Sequence, residues 1–222
     1  MIHWHRLLGL TLTDFFTDTA YRVELEKDLS LKQQLLDVVI IEREEGEPPE
    51  RLPDGLENIA PHNLLTYKSH QQTLDAWTLD ELVGHYVNYR KSTELKPNML
   101  LPTEDFQLYA VAARYPTKMS ADVDLRETKP GVYDVRWGVR DIRIIVLSRV
   151  SKDSKNAIWH LFSAVPESVA AGASEFAWRG SVSSVINELF TKYKMEGIFA
   201  MPYTMEDFQS APPGRCRDQT YK

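Results

Sequence analysis

The chain has a single cysteine, Cys216, within its last seven residues. A disulfide framework and a cysteine-based zinc site are therefore excluded, and a reducing compartment is the expectation. Long apolar runs are missing too. No stretch approaches the roughly 18 consecutive apolar residues of a membrane span. Met1-Ile2-His3-Trp4-His5-Arg6 lacks the apolar core of a signal peptide. The expectation is a soluble, cytoplasmic protein with no membrane partner. An excess of positive charge is also absent: 26 Lys and Arg face 32 Asp and Glu, a formal charge of -6. Coating of nucleic acid by bulk charge is excluded, and any such contact needs a local basic patch. No Gly-x-Gly-x-x-Gly, Walker loop or Gly-x-Ser-x-Gly occurs, and the six histidines lack metalloprotease spacing. Internal repeats and low-complexity blocks are missing as well.

What is present suits one sizeable domain. The chain has 222 residues, 43% hydrophobic and 26% charged, enough to bury a proper core. We expect a single α/β domain over residues 1–209 and a polar, mobile tail over 210–222. Trp4, Leu7, Leu8, Leu12, Phe15 and Phe16 recur at helical steps. Tyr21, Val23 and Leu25 alternate with charged residues and predict a half-buried strand. Leu35–Ile41 reads as a central strand covered on both faces. The turn-rich stretch Glu44–Pro61 reads as an excursion from the core, and Asn63–Ser69 as the next strand. Thr73 would cap a helix over Leu74–Lys91, packing on the sheet through Trp77 and its apolar neighbours. Phe106–Tyr115 follows as a strand. Gly131–Trp137 and Ile142–Val150 follow as an antiparallel pair about Gly138, then helices over Asn156–Ala164 and Ser181–Lys194. Met205–Gln209 would form a last helical turn. The sum is a mixed central sheet flanked by helices, without regular β-α alternation.

The stretch with chemical content runs from Leu35 to Glu81. Asp37 opens a β-branched strand, and Lys68 closes the next one before the longest helix. Taken singly, an acid flanking a strand and a lysine at a strand end are ordinary surface features. Together they can set a carboxylate beside an ammonium. Mg²⁺ is held by one or two carboxylates with phosphate oxygens and waters, and a lysine can orient the attacking water. Arg136, Arg140, Arg143 and Arg149 make the later strands locally basic. They read either as a phosphate-contacting face or, more ordinarily, as the wet side of a sheet.

This order, with Tyr21–Glu26, Leu36-Asp37-Val38-Val39 and His62–Ser69, resembles the PD-(D/E)XK nucleases of the restriction-endonuclease-like fold. Within them it looks like bacterial families related to recombination-promoting nucleases and transposases. The resemblance covers roughly residues 1–115. It implies a restriction-endonuclease-like core with extra C-terminal strands and helices. It also implies a metal-dependent DNA endonuclease, a hydrolase using Mg²⁺ or Mn²⁺, with DNA as partner and a homodimer left open. Asp37 would be the metal-binding aspartate and Lys68 the lysine, with Glu24 or Glu26 as an additional acid. Leu36 replaces the motif's proline, and Thr66 stands where its second acid belongs. Either the site is silent and the fold serves binding, or the acid has migrated to Glu81, with twelve residues between it and Lys68. Glu81 shares a helical face with His85 and Tyr89, and His85–Tyr89 looks like the Gln-x-x-x-Tyr of RecB-like members. That face reads equally as a solvated stripe, with Asp75, Asp80 and Glu81 suiting a helix N-terminus.

Overall fold

Apolar residues at alternating strand positions and at helical steps assemble here into a seven-stranded mixed sheet with helices on both faces. The computed structural model describes residues 4–25, 38–93, 99–176 and 183–198. Helix α1 (Trp4–Phe16) buries the stripe Trp4, Leu7, Leu8, Leu12 and Phe16. It leads into β1 (Tyr21–Glu24), followed by β2 (Val38–Arg43) and β3 (His62–Lys68). These three strands run antiparallel in sequence, with Val38 opposite Thr66 and Glu42 opposite His62. Helix α2 (Ala76–Ser92) then carries the chain to β4 (Phe106–Ala112), which lies parallel to β3. After a single helical turn, α3 (Met119–Asp122), come β5 (Arg126–Lys129), β6 (Val132–Trp137) and β7 (Arg140–Val146). β7 pairs parallel with β4, and β6 and β5 extend the sheet antiparallel, giving the order β1-β2-β3-β4-β7-β6-β5. The expected antiparallel pair about Gly138 is β6–β7, with Gly138 at φ 57° in its turn. The chain closes with α4 (Ala157–Leu161), α5 (Pro166–Glu175) and α6 (Ser183–Met195).

Strand alternation divides the core in two. Val39, Ile41, Leu65, Tyr67, Tyr109, Val111 and Ile145 face α1, α4, α5 and α6. Ile40, Leu64, Leu108, Ala110, Ile142 and Ile144 face α2. Both faces of the central strands are apolar, as the continuous run in β2 led us to expect.

Helix α2 departs from expectation in two respects. Its cap is Asp75, not Thr73: the Asp75 carboxylate accepts from Thr78 N at 2.9 Å and Thr78 Oγ1 at 2.7 Å. Trp77 is 66% exposed, so the helix does not pack through it. Leu79, Leu82, Tyr86 and Tyr89 form the buried stripe instead, at the three- and four-residue steps that put them on one face. Trp77 lies outside that stripe. The helix crosses the sheet obliquely. Asp80 in its first half accepts from Trp137 Nε1 of β6 at 2.9 Å, while Tyr89 near its end donates to Glu42 of β2.

The stretch Glu44–Pro61 is an excursion whose middle is nailed down. Asp54, 4% exposed, accepts from Asn156 Nδ2 at 2.7 Å and Ser151 Oγ at 3.0 Å. Lys155 Nζ lies 2.7 Å from its other oxygen. Its backbone N–H donates to Asn156 Oδ1 and its carbonyl accepts from Trp159 Nε1. The expected tail, the turn at Met205–Gln209, the Ser181 cap and residues 35–37 of the predicted strand lie outside the described residues.

Candidate functional site

The two ends of the sheet differ in chemistry. At the end where β3 begins, charge is paired within the protein. Glu42 is met by Tyr89 Oη and by Arg22, and Arg22 also holds Glu24 at 3.2 Å and Glu44 at 3.1 Å. His62 Nδ1 lies 3.1 Å from Tyr89 Oη, and its ring stacks on Phe106. Burial and the neighbouring Glu42 carboxylate push the Tyr89 phenol well above its usual range.

At the end where β3 stops, the residues expected from sequence are placed as follows. Thr66 and Lys68 lie two apart on β3 and so share the face covered by α2. Thr66 is 5% exposed, opposite Val38 of β2 and Ala110 of β4. Lys68 is half-buried at the strand end, where its carbonyl accepts from Ala113 N at 3.0 Å. Its charge helps hold the Asp75 carboxyl below the usual range, an effect led by the Thr78 hydrogen bond. Glu81 is exposed on α2 and takes part in none of the ion pairs formed among the described residues. His85 is half-buried, next to the core residue Tyr86. Glu24 pairs across β1–β2 with Ile40, which pairs with Leu64. It thus sits four residues down the sheet from Lys68, about 13 Å along the strand direction. Asp37 and Glu26 lie outside the described residues. The structure therefore brings Thr66, Lys68 and the β2 start together, and leaves Glu24 at a distance.

Sequence reasoning missed a second pair at the same end. His70, in the turn after β3, places Nε2 3.1 Å from Glu196 Oε2, at the end of α6. The other carboxylate oxygen accepts from Trp4 Nε1 at 3.3 Å and lies 3.4 Å from Lys192 Nζ. Residues 4, 70 and 196 meet through the packing of α1 and α6, and no local motif announces that. Asp75 did carry a signal, since an Asp three residues before Thr78 is an N-cap pattern.

The later arginines are each engaged within the protein. Arg143 grips Asp134 with two hydrogen bonds, at 2.8 and 3.1 Å, and Arg136 meets Asp141 at 3.0 Å. Arg140 and Arg149 lie over the rings of Tyr86 and Tyr115. A groove of about 610 Å³ there is lined by Arg126, Arg136 and Arg143 against Asp124, Asp134 and Asp141, so its charges balance. Arg136 and Arg143 are thus matched to carboxylates, whereas Arg140 and Arg149 are held through tyrosines.

Among the described residues no helix is long and apolar enough to cross a membrane. Comparison with family models, with curated proteins and with solved structures finds no match to this chain.

Proposed function

We propose that this chain is a phosphodiester-hydrolysing domain acting on DNA, built on a PD-(D/E)XK nuclease-like core and tied to recombination or mobile elements. The observation that carries the reading is the β2–β3–α2–β4 unit. Val38, next in sequence to Asp37, lies opposite Thr66, two residues from Lys68, and the helix after Lys68 leads to a strand parallel to β3. That is the order of strand, strand ending in lysine, and helix on which the resemblance rests. Lys68, half-buried at the strand end, is suited to orient water or offset charge on a phosphate.

A divalent ion needs several oxygen donors on one point. Among the described residues no group of three or more His, Cys, Asp or Glu converges in that way. These residues do not by themselves fit Mg²⁺ or Mn²⁺, and no step is assigned to the ion. Dependence on it is what the assay measures.

A second reading, a silent binding module on the same scaffold, draws on Thr66. At 5% exposure it fills the second-acid position with a group that carries no charge. The deciding experiment incubates supercoiled plasmid and single-stranded DNA with wild type, Lys68→Ala and Asp37→Asn, with Mg²⁺ or Mn²⁺. Cleavage by wild type, reduced about 10²-fold or more in both variants, supports the nuclease. DNA binding without cleavage under any of these conditions leaves the silent module.

A further inference from the structure

The outward face of α2 carries features for which the protomer has no use. Trp77, Asp80, Gly84, Val87 and Lys91 are all exposed. They follow one another at steps of three and four residues, the spacing of a seam along which two helices pack. Glycine inside a helix is destabilising relative to alanine. Neither backbone nor packing requires it here: Gly84 is helical, and a Cβ added to it would meet nothing within 4 Å. Trp77 likewise leaves 66% of its surface in water. Among the described residues, five of the six exposed large apolar side chains lie on or beside this helix. Trp77 and Val87 belong to it. Val139 is in the β6–β7 turn, which is tied to α2 by Trp137 Nε1 donating to Asp80 at 2.9 Å and by Arg140 over the Tyr86 ring. Met99 and Leu100 precede Leu101, whose carbonyl accepts from Arg90 Nε at 2.8 Å. Apolar surface gathered in this way marks an interaction site.

The charges select the partner. Asp80 and Glu81 lie on the first half of the face and Lys91 at its end. Glu81 and Lys91 take part in none of the ion pairs formed among the described residues. Gly84 stands midway, seven residues from both Trp77 and Lys91, about 10 Å along the helix axis either way. A twofold axis through Gly84, with two copies antiparallel, sets Lys91 of one copy over the Trp77 ring of the other and within a helical turn of its Asp80 and Glu81. Both ends then gain a cation–π contact and opposite charges, and the missing side chain at Gly84 lets the two backbones approach where they cross. A face complementary to itself fits a symmetric pair. The phosphates of a nucleic acid would instead meet Asp80 and Glu81 beside the indole.

We propose that α2 is the self-association face of this chain, two copies pairing antiparallel through Trp77, Gly84 and Lys91. The pairing does not depend on any chemistry at the end of β3. One helix from each copy makes a small interface, so the pair forms reversibly. Sedimentation velocity of the full chain over a concentration series tests it. The mass should rise from that of one chain, 25.6 kDa, toward twice that, and association should weaken with salt. Trp77→Ala and Gly84→Arg should each weaken association about 10-fold or more. Lys91→Glu and Glu81→Lys should each weaken it too, and the double variant should associate more tightly than either single one. In dilute solution, where the copies separate, Trp77→Ala leaves the stability of the protomer itself unchanged. Circular dichroism shows whether each variant folds; should Gly84→Arg not fold, the two charge changes and their combination decide. A wild type that stays monomeric up to about 1 mM overturns the proposal. A dimer indifferent to Gly84→Arg and to both charge changes also overturns it, by placing the interface elsewhere. A monomeric wild type whose indole fluorescence is quenched by single-stranded DNA, with the quenching lost in Trp77→Phe, overturns it in favour of nucleic acid on this face.

Discussion

Replacing Asp54 by alanine should be among the costlier single changes in the protein. Its carboxylate ties the middle of the Glu44–Pro61 loop to Ser151, Lys155 and Asn156, about a hundred residues away. Hydrogen bonds to charged groups contribute about 1.5–3 kcal/mol each, and breaking a buried pair by removing one partner costs about 3–5 kcal/mol. The lower end applies here. Asn156 Nδ2 keeps Ser151 O at 3.1 Å and Ser151 Oγ at 3.0 Å, and the 22%-exposed Lys155 can turn to water. A loss of about 3 kcal/mol should lower the Tm by about 6–12 °C in a chain of this size. The acid also makes the loss depend on pH. Burial pushes the Asp54 carboxyl up, but hydrogen bonds from Asn156, Lys155 and Ser151, with the Lys155 charge, outweigh it and hold the carboxyl well below the usual range. A depressed folded-state pKa contributes stability that is complete above the ordinary aspartate value of about 3.9 and fades as pH falls through the folded value. The gap between wild type and Asp54→Asn in urea denaturation should therefore be steady at pH 6–8 and close below about pH 4. A gap under about 1 kcal/mol for Asp54→Ala, with a native spectrum, would refute the reasoning; water would then replace the carboxylate at little cost.

Two further outcomes test the packing. Trp77→Ala should change stability by less than about 0.5 kcal/mol, whereas Leu82→Ala should cost about 2–5 kcal/mol, both read by thermal denaturation. Similar losses for the two would mean that the indole packs after all. Tyr89→Phe removes a donor to Glu42 and a neighbour of His62 and should cost about 1–3 kcal/mol. A neutral effect in urea would show that the other groups around Glu42, Arg22 among them, satisfy the carboxylate.

Most of the sheet was legible because its strands are apolar on a period of two or apolar throughout. β5 was not: Arg126-Glu127-Thr128-Lys129 is exposed at every position, and pairing with β6 makes it a strand where side-chain pattern does not. Helix α5 escaped for a related reason. Its small residues pack closely, Gly172 so closely that a Cβ would meet Ala157 O at 2.7 Å, and such packing leaves no bulky stripe to read. Trp77 misled because an indole three residues after Leu74 looks like core in a linear pattern, while the helix phase is set by Leu79, Leu82, Tyr86 and Tyr89. At the site, Thr66 and Lys68 were legible through strand periodicity. The His70–Glu196 pair was not, since it spans 126 positions and exists through the docking of α6.

Charge in this acidic chain is distributed unevenly over its described residues. Around Glu42, and along β5 to β7, the cations Arg22, Lys129, Arg136 and Arg143 are each matched to carboxylates within 4 Å. Those pairs cancel locally, and exposed charges farther off than the Debye length of about 8 Å at physiological salt are screened. A net charge of -6 therefore says little about the field where β3 and β4 end. Lys68 and Arg114 there take part in none of the ion pairs formed among the described residues, and Glu196 is already engaged by His70, Trp4 and Lys192. Composition argued against coating of nucleic acid by bulk charge, and which cations are left out of ion pairs among the described residues is a separate, local matter.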